Sequence, residues 1–312
     1  MFPFPFPFPF PFPFPFPFPF PKKRYASTAA RDSGFQMLTV GESGYGNGDA
    51  VGLMAHSTST RIPYTPIWKV EPQMATARDA LCAALDGSDR RWILETAEAL
   101  AGEVGWLKVG LEAFAAHGPS LVRSIAELGC PVFLDVKLHD IPNTVRGAAA
   151  NCAAAGVGMF TVHASGGRQM LSAALEGARQ AAPDAPPKVI AVTVLTSLDS
   201  RSLHGIGYAD SVEETALRLA RLAQSCGVDG VVVSAHEARR VRAACGPDFL
   251  LVTPGIRPPG HGTDDQRRTV TPAEAVRLGA DVLVVGRPIT RAESPVAAAR
   301  HIVSEMTAAR SE

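Results

Sequence analysis

The chain has 312 residues, 46% of them hydrophobic, with 30 basic residues balanced by 30 acidic ones. Zero net charge excludes the polybasic profile of a nucleic-acid or acidic-membrane binder, and no stretch reads as a membrane-spanning helix. The length suits one large α/β domain or two small ones.

Residues 2 to 21 are ten consecutive Phe-Pro dipeptides, holding ten of the fifteen phenylalanines. Proline at every second position removes N–H donors and blocks both helix and central strand. The basic residues Lys22, Lys23 and Arg24 follow this run instead of preceding it, so it is not a signal peptide. Nor is it a membrane span, because prolines this dense would leave carbonyls unsatisfied in lipid. Residues 22 to about 73 are rich in Ser, Thr, Gly and Pro without periodicity. The expectation is a disordered low-complexity extension over 1–73 and a folded domain over 74–312. Met74, which opens "MATARDALCAALD", is a candidate natural start.

From Leu81 onward, eight short apolar runs alternate with amphipathic stretches. The runs are "LCAAL" at 81, "WLKVG" at 106, "PVFLDV" at 131, "MFTVH" at 159, "VIAVTVL" at 189, "GVVVS" at 230, "FLLVTPG" at 249 and "VLVVG" at 282. They are continuous, as strands buried on both faces should be. Spacings of three and four predict helices over 90–103, 119–128, 143–155, 167–181, 212–225, 236–244, 272–278 and 295–309. Thr271-Pro272 and Ser294-Pro295 are good helix starts, a capping hydroxyl followed by proline. Eight strand–helix units predict a single-domain (β/α)8 TIM barrel of the α/β class. A doubly wound sheet would more typically carry a Gly-rich dinucleotide loop after its first strand, and "ALDGSD" there has none.

Five cysteines, odd in number and without a CxxC pair, suggest reduced thiols in a cytoplasmic protein. The eight histidines show no metal-ligand spacing, so no metal is expected.

A barrel builds its active site at the C-terminal strand ends. Those ends carry Asp86; Lys108; Asp135 with Lys137; His163; Thr196 and Ser197; Ser234; Gly255 with Arg257; and Gly286 with Arg287. In "FLDVKLHDIPNTV", residues 133 to 145, Asp135 and Lys137 are two apart and share one side of an extended segment. With Lys108 and Asp140 they form a charged cluster at the barrel mouth. An isolated Asp-Lys pair would read as a structural ion pair; four charges at adjacent strand ends read as chemistry.

Lys137 has two chemical options. A Schiff-base nucleophile needs a neutral amine, and the neighbouring carboxylates favour the ammonium instead. Proton donation remains, and a lysine is so weak an acid that its partner must be a strong base such as a carbanion. Lys108 has fewer carboxylates near it in sequence, but nothing there marks it as a neutral nucleophile. A substrate carboxylate held beside Asp135 or Asp140 would be destabilised, or the lysines would stabilise the transition state. The loops after strands seven and eight are the usual phosphate cradle of this fold. Gly255 and Gly286 allow close backbone approach, Arg287 supplies a planar fork, and Gln266 sits in a long loop able to close over the anion. Arg267 and Arg268 read as a basic surface loop. "HASGGR" at 163–168 also has the look of an anion-binding turn before a helix, and a tight turn into helix four is the preferred reading.

"FLDVKLHDIPNTV", with "LKVG", "VTVLTS", "VTPGIRP", "DQRR" and "VVGRP", closely resembles the bacterial-type orotidine 5′-phosphate decarboxylases over about residues 80 to 308. The resemblance implies decarboxylation of orotidine 5′-monophosphate to UMP and CO2, the last step of pyrimidine synthesis, without a cofactor. By motif, Lys137 would protonate C6, Asp135 would lie near the substrate carboxylate, Lys108 would bridge the array and the ribose, and Asp86 would bind ribose. Asp140, Ile141 and Thr144 fall on the same motif, with Asp140 and Thr144 reaching a partner's site in a homodimer. Thr196 and Ser197 would lie at the pyrimidine, and Arg257, Gln266, Gly286 and Arg287 at the phosphate. The alternative is a Mg-dependent sugar-phosphate decarboxylase or synthase sharing the DxKxxD run; "DIPNT", "LTS" and the Gln266 loop speak against it.

Overall fold

Continuous apolar runs become parallel strands here because each has the barrel interior on one face and a helix on the other. The computed structural model describes residues 76–259 and 269–311. The extension expected over 1–73, the Met74 start, Gln266, Arg267 and Arg268 lie outside these residues.

In chain order the elements are β1 (Leu81–Ala84), α1 (Arg90–Leu100), β2 (Trp106–Gly110), α2 (Leu111–Ala126), β3 (Val132–Leu138), α3 (Pro142–Ala154), β4 (Met159–His163), α4 (Gly167–Ala181), β5 (Lys188–Val192), α5 (Ser200–Gly205), α6 (Val212–Ser225), β6 (Gly230–Val232), α7 (Ala235–Cys245), β7 (Leu250–Thr253), α8 (Pro272–Arg277), β8 (Val282–Val285), α9 (Arg287–Thr290) and α10 (Pro295–Arg310). The strands pair in sequence order, and β1 pairs with β8, with Cys82 opposite Val284, to close a TIM barrel. A short 3-10 turn, Ala164–Gly166, leads into α4, as the tight-turn reading of "HASGGR" has it.

Alternate residues divide the two layers of core. Cys82, Ala84, Trp106, Phe133, Met159, Ile190, Val252, Val282 and Val284 fill the barrel. Leu81, Leu107, Leu134, Phe160, Val162, Leu251 and Leu283 belong to the outer layer with the helices. Phe133 and Phe160 are each about fully buried, and burial of such a ring contributes roughly 1.5–3 kcal/mol. Helix starts follow the expected chemistry. Thr271 accepts the Glu274 N–H and Ser294 the Ala297 N–H, each ahead of a proline.

Three local features depart from the sequence reading. The helix expected from 119 begins at Leu111 and is broken at Gly118, whose φ of 60° and ψ of −158° are not helical; Pro119 then restarts it. The run from Val189 stops as a strand at Val192, leaving Thr196 and Ser197 on a loop that leads into the unexpected helix α5. β3 extends to Leu138, through the charged residues, but its register with β4 slips: Leu134 pairs with Phe160 and Leu138 with Val162. Asp135, Val136 and Lys137 therefore stand opposite Thr161 alone, and Lys137 takes a φ of 53°.

At the N-terminal end, Arg242 donates to the carbonyls of Gly246, Pro247, Phe249 and Gly279 and pairs with Asp281. These contacts tie the bottom of the barrel together, on the face away from the strand ends that build a site.

Candidate active site

The C-terminal mouth opens into a cavity of about 680 Å³. Its walls include Asp86, Lys108, Asp135, Lys137, Thr196, Ser197, Gly255, Arg257, Gly286 and Arg287, all anticipated at strand ends. Trp92, Phe133, Val192 and Val252 supply apolar surface, so the polar groups converge on a partly dry pocket, as ligand sites do.

The charged groups form one alternating array. Lys108 Nζ lies 2.8 Å from Asp86 Oδ1 and 3.6 Å from Asp135 Oδ2, and Lys137 Nζ lies 2.9 Å from Asp135 Oδ1. The order along the cavity wall is thus negative, positive, negative, positive. Lys108 comes from β2, where it points inward between Trp106 and Gly110, and its side chain is only 8% exposed. Gly110 makes room for it: a Cβ there would sit 2.5 Å from Asp86 Oδ1 and 3.0 Å from Lys108 Nζ.

Burial works against the Lys108 ammonium, but Asp135 and Asp86 outweigh it and hold its pKa above the ordinary lysine value. Burial likewise pushes the Asp135 carboxyl up; Lys108, Lys137 and the Thr161 hydroxyl more than offset this and hold it below the ordinary aspartate value. Lys108 is therefore a fixed cation and Asp135 a fixed anion at neutral pH. This corrects the sequence reading of Lys108 as less hemmed in. Its carboxylate partners are remote in sequence, supplied by the β1 and β3 ends.

Other anticipated residues fall elsewhere. Asp140, Ile141 and Thr144 lie outside the cavity on the exposed turn into α3, with Ile141 67% exposed. Asp140 Oδ1 accepts the Ile141 N–H at 2.6 Å. Ser234 is buried and caps α7 by accepting the His236 N–H, so its role is structural. His163 is half-buried with its ring 5.2 Å from that of His139, and burial first, then the neighbouring His139 and Lys137 side chains, lower its pKa.

Sequence reasoning missed Thr161, whose hydroxyl touches both Asp135 and Lys137. The strand period places it inward between Met159 and His163, which was the available signal. A second cavity, of about 820 Å³, lies at the N-terminal end. Its polar groups brace the backbone: Asp229 accepts the Val189 N–H at 2.8 Å, and Asp281 accepts that of Leu251 at 2.7 Å.

A closed barrel with a charged, partly dry mouth and glycines beside an arginine is the arrangement of a barrel enzyme's site. Residues 79–302 match the model of the orotidine 5′-phosphate decarboxylase / HUMPS family, and the chain belongs to that family. A protein named orotidine 5′-phosphate decarboxylase from Anaeromyxobacter sp. (strain K) is 55% identical over 226 residues, 72% of this chain and 97% of its own. One of the same name from Heliobacterium modesticaldum is 50% identical over 234 residues, covering 74% and 96%. The crystal structure of orotidine 5′-phosphate decarboxylase from Lactobacillus acidophilus superposes with a TM-score of 0.65 at 36% identity, covering 72% of this chain and 98% of that one.

Proposed function

We propose that this protein decarboxylates orotidine 5′-monophosphate to UMP and CO2, the last step of pyrimidine synthesis, without a cofactor. The observation that carries the reading is the Asp86–Lys108–Asp135–Lys137 array at the barrel mouth. The shared name of the relatives favours it over a Mg-dependent synthase.

The phosphate binds at Gly286 and Arg287, with Arg257 and Gln266 from the loop after β7. Thr196 and Ser197 face the pyrimidine, and Asp86 and Lys108 hold the ribose. This places the substrate carboxylate beside Asp135. The C6–carboxyl bond breaks and CO2 leaves, with the electron pair remaining on C6. Lys137 gives C6 a proton and regains one from solvent. Asp135 supports this step twice: it keeps the Lys137 ammonium in place, and its charge disfavours the bound carboxylate relative to the product. Beside this ground-state stress, the Lys108 and Lys137 side chains stabilise the developing carbanion.

In this reading Asp140 and Thr144 serve the partner's site in a homodimer, with Ile141 beside them; the exposed β3–α3 turn, with its bare Ile141, suits a face that another subunit covers. Cytoplasmic location fits too; among the described residues no helix is long and apolar enough to cross a membrane.

The test is loss of orotidine absorbance by the full chain in the presence of EDTA, compared with Lys137→Ala. Activity that survives EDTA and vanishes in the variant is expected. Undiminished decarboxylation by Lys137→Ala overturns the assignment.

A further inference from the structure

We propose that Thr161 is a positioning residue that sets the Asp135–Lys137 pair through one hydroxyl. This rests on the reading of Lys137 as proton donor.

The side chain is fully buried at the middle of β4. Its Oγ1 accepts the backbone N–H of Lys137 at 2.9 Å and donates to Asp135 Oδ1 at 3.0 Å. The direction of both bonds is fixed. A backbone N–H only donates, so the hydroxyl proton is left for the carboxylate. The same Oδ1 receives the Lys137 ammonium at 2.9 Å. One oxygen of Asp135 thus joins the backbone and the tip of the same lysine through Thr161.

The bulge explains why a side chain is needed. Three residues of β3, Asp135 to Lys137, face Thr161 alone, so the normal ladder cannot satisfy the Lys137 N–H. The threonine hydroxyl takes the place of the missing ladder carbonyl. It does so where Lys137 has a left-handed backbone, φ 53°, which a β-carbon disfavours. With that backbone the lysine tip still reaches Asp135 Oδ1 at 2.9 Å. Strain at a functional residue persists only when its surroundings over-determine it, and Thr161 is a buried group that holds both the strained N–H and the partner carboxylate.

The other charged or titratable groups facing Asp135 are Lys108 on β2, Lys137 on its own strand, Asp86 after β1, Cys82 on β1 and His163 at the end of β4 with His139 beside it. All remain when Thr161 alone is changed, so the hydroxyl's effect is separable from theirs.

The experiment compares Thr161→Val, Thr161→Ser and Thr161→Cys in the full chain. Valine keeps the shape and removes the hydroxyl; serine keeps the hydroxyl; cysteine keeps the size with a weak donor and acceptor. Expected is a kcat loss of about 10- to 100-fold in valine with KM changed much less, because a charge-assisted contact at the reacting groups is lost and not a ligand contact. Serine is expected within a few-fold of wild type, and cysteine between the two. The carbon NMR signal of the Asp135 carboxyl, which needs no substrate, should titrate at higher pH in valine or cysteine than in wild type or serine. If valine fails to fold, the serine–cysteine pair decides by the same two readouts. Wild-type kcat together with an unmoved Asp135 titration in the hydroxyl-lacking variants overturns the proposal. If the wild-type chain does not decarboxylate the substrate, the functional reading fails, and the NMR titration still decides whether Thr161 positions Asp135.

Discussion

Lys108 Nζ lies 2.8 Å from Asp86 Oδ1 while its side chain is only 8% exposed, against 58% for the aspartate. The cation is therefore the buried partner and the anion the wet one. With Asp135 only 15% exposed on its other side, Lys108 is what allows two carboxylates to face one cavity.

Replacing Lys108 with methionine should destabilise the fold by about 3 kcal/mol, because removal of one partner leaves the buried Asp135 less compensated. It should also depress kcat/KM by at least two orders of magnitude. Calorimetry and steady-state rates check both. The pH dependence has a definite sign. The folded-state pKa of Lys108 is raised, so its stabilisation is present below about pH 10.4 and lost as pH rises through the folded value. That of Asp135 is lowered, so its stabilisation is present above about pH 3.9 and lost as pH falls through the folded value. The alkaline loss should be smaller in Lys108→Met than in wild type.

Gly110→Ala should impair the site without unfolding the barrel. The new methyl would lie 2.5 Å from Asp86 Oδ1, forcing that half-exposed carboxylate to move away from Lys108. A rise in KM of roughly tenfold with a melting temperature shifted by no more than a few degrees is expected. Unchanged kinetics would show that Asp86 has no role in binding.

Arg287 stands at the start of α9 beside Gly286, whose position lies near Asp86. Arg287→Ala should lower kcat/KM by about 10³-fold, since remote binding energy can be used at the reacting centre. Added phosphite should partly restore turnover of a substrate lacking the phosphate. Absence of that rescue in the wild-type chain would count against the use of phosphate binding energy at the reacting centre.

Mixing two variants tests the proposed sharing of sites between subunits. Neither Lys137→Ala nor Asp140→Ala should be active alone. In a heterodimer, one of the two sites would take Lys137 from one subunit and Asp140 from the other, both intact. Statistical mixing should restore roughly a quarter of wild-type activity. No recovery, with heterodimers demonstrated by mass, would place Asp140 in its own subunit's chemistry or in none.

The barrel was legible because buried parallel strands write themselves as unbroken apolar runs, and "MFTVH", "LLVT" and "VLVV" could hardly be anything else. Polar residues at the ends of those runs located Asp86, Lys108, Asp135 and Lys137 for the same reason. What remained hidden depends on three-dimensional neighbours. The partners of Lys108 come from strands on either side of it. The bulge at Lys137 is a property of β3 and β4 together, with no glycine to announce the left-handed backbone. Thr161 looked like one more β-branched strand residue, the commonest kind, and only its two contacts distinguish it. Leu111 to His117 form a helix that leans directly on the end of β2, too close to the strand to be separated by pattern.

Lys137 is the one described non-glycine residue with a left-handed backbone. Glycine at that position would relax the backbone by on the order of 1 kcal/mol, but it would take the ammonium 2.9 Å from the buried Asp135 away, and with it the proton donor of the proposed mechanism. Backbone strain and the ion pair thus pull this position in opposite directions. In a library screened only for melting temperature, glycine at 137 should therefore rank well below what its backbone alone would gain, because the buried Asp135 holds the lysine in place as firmly as the chemistry needs it.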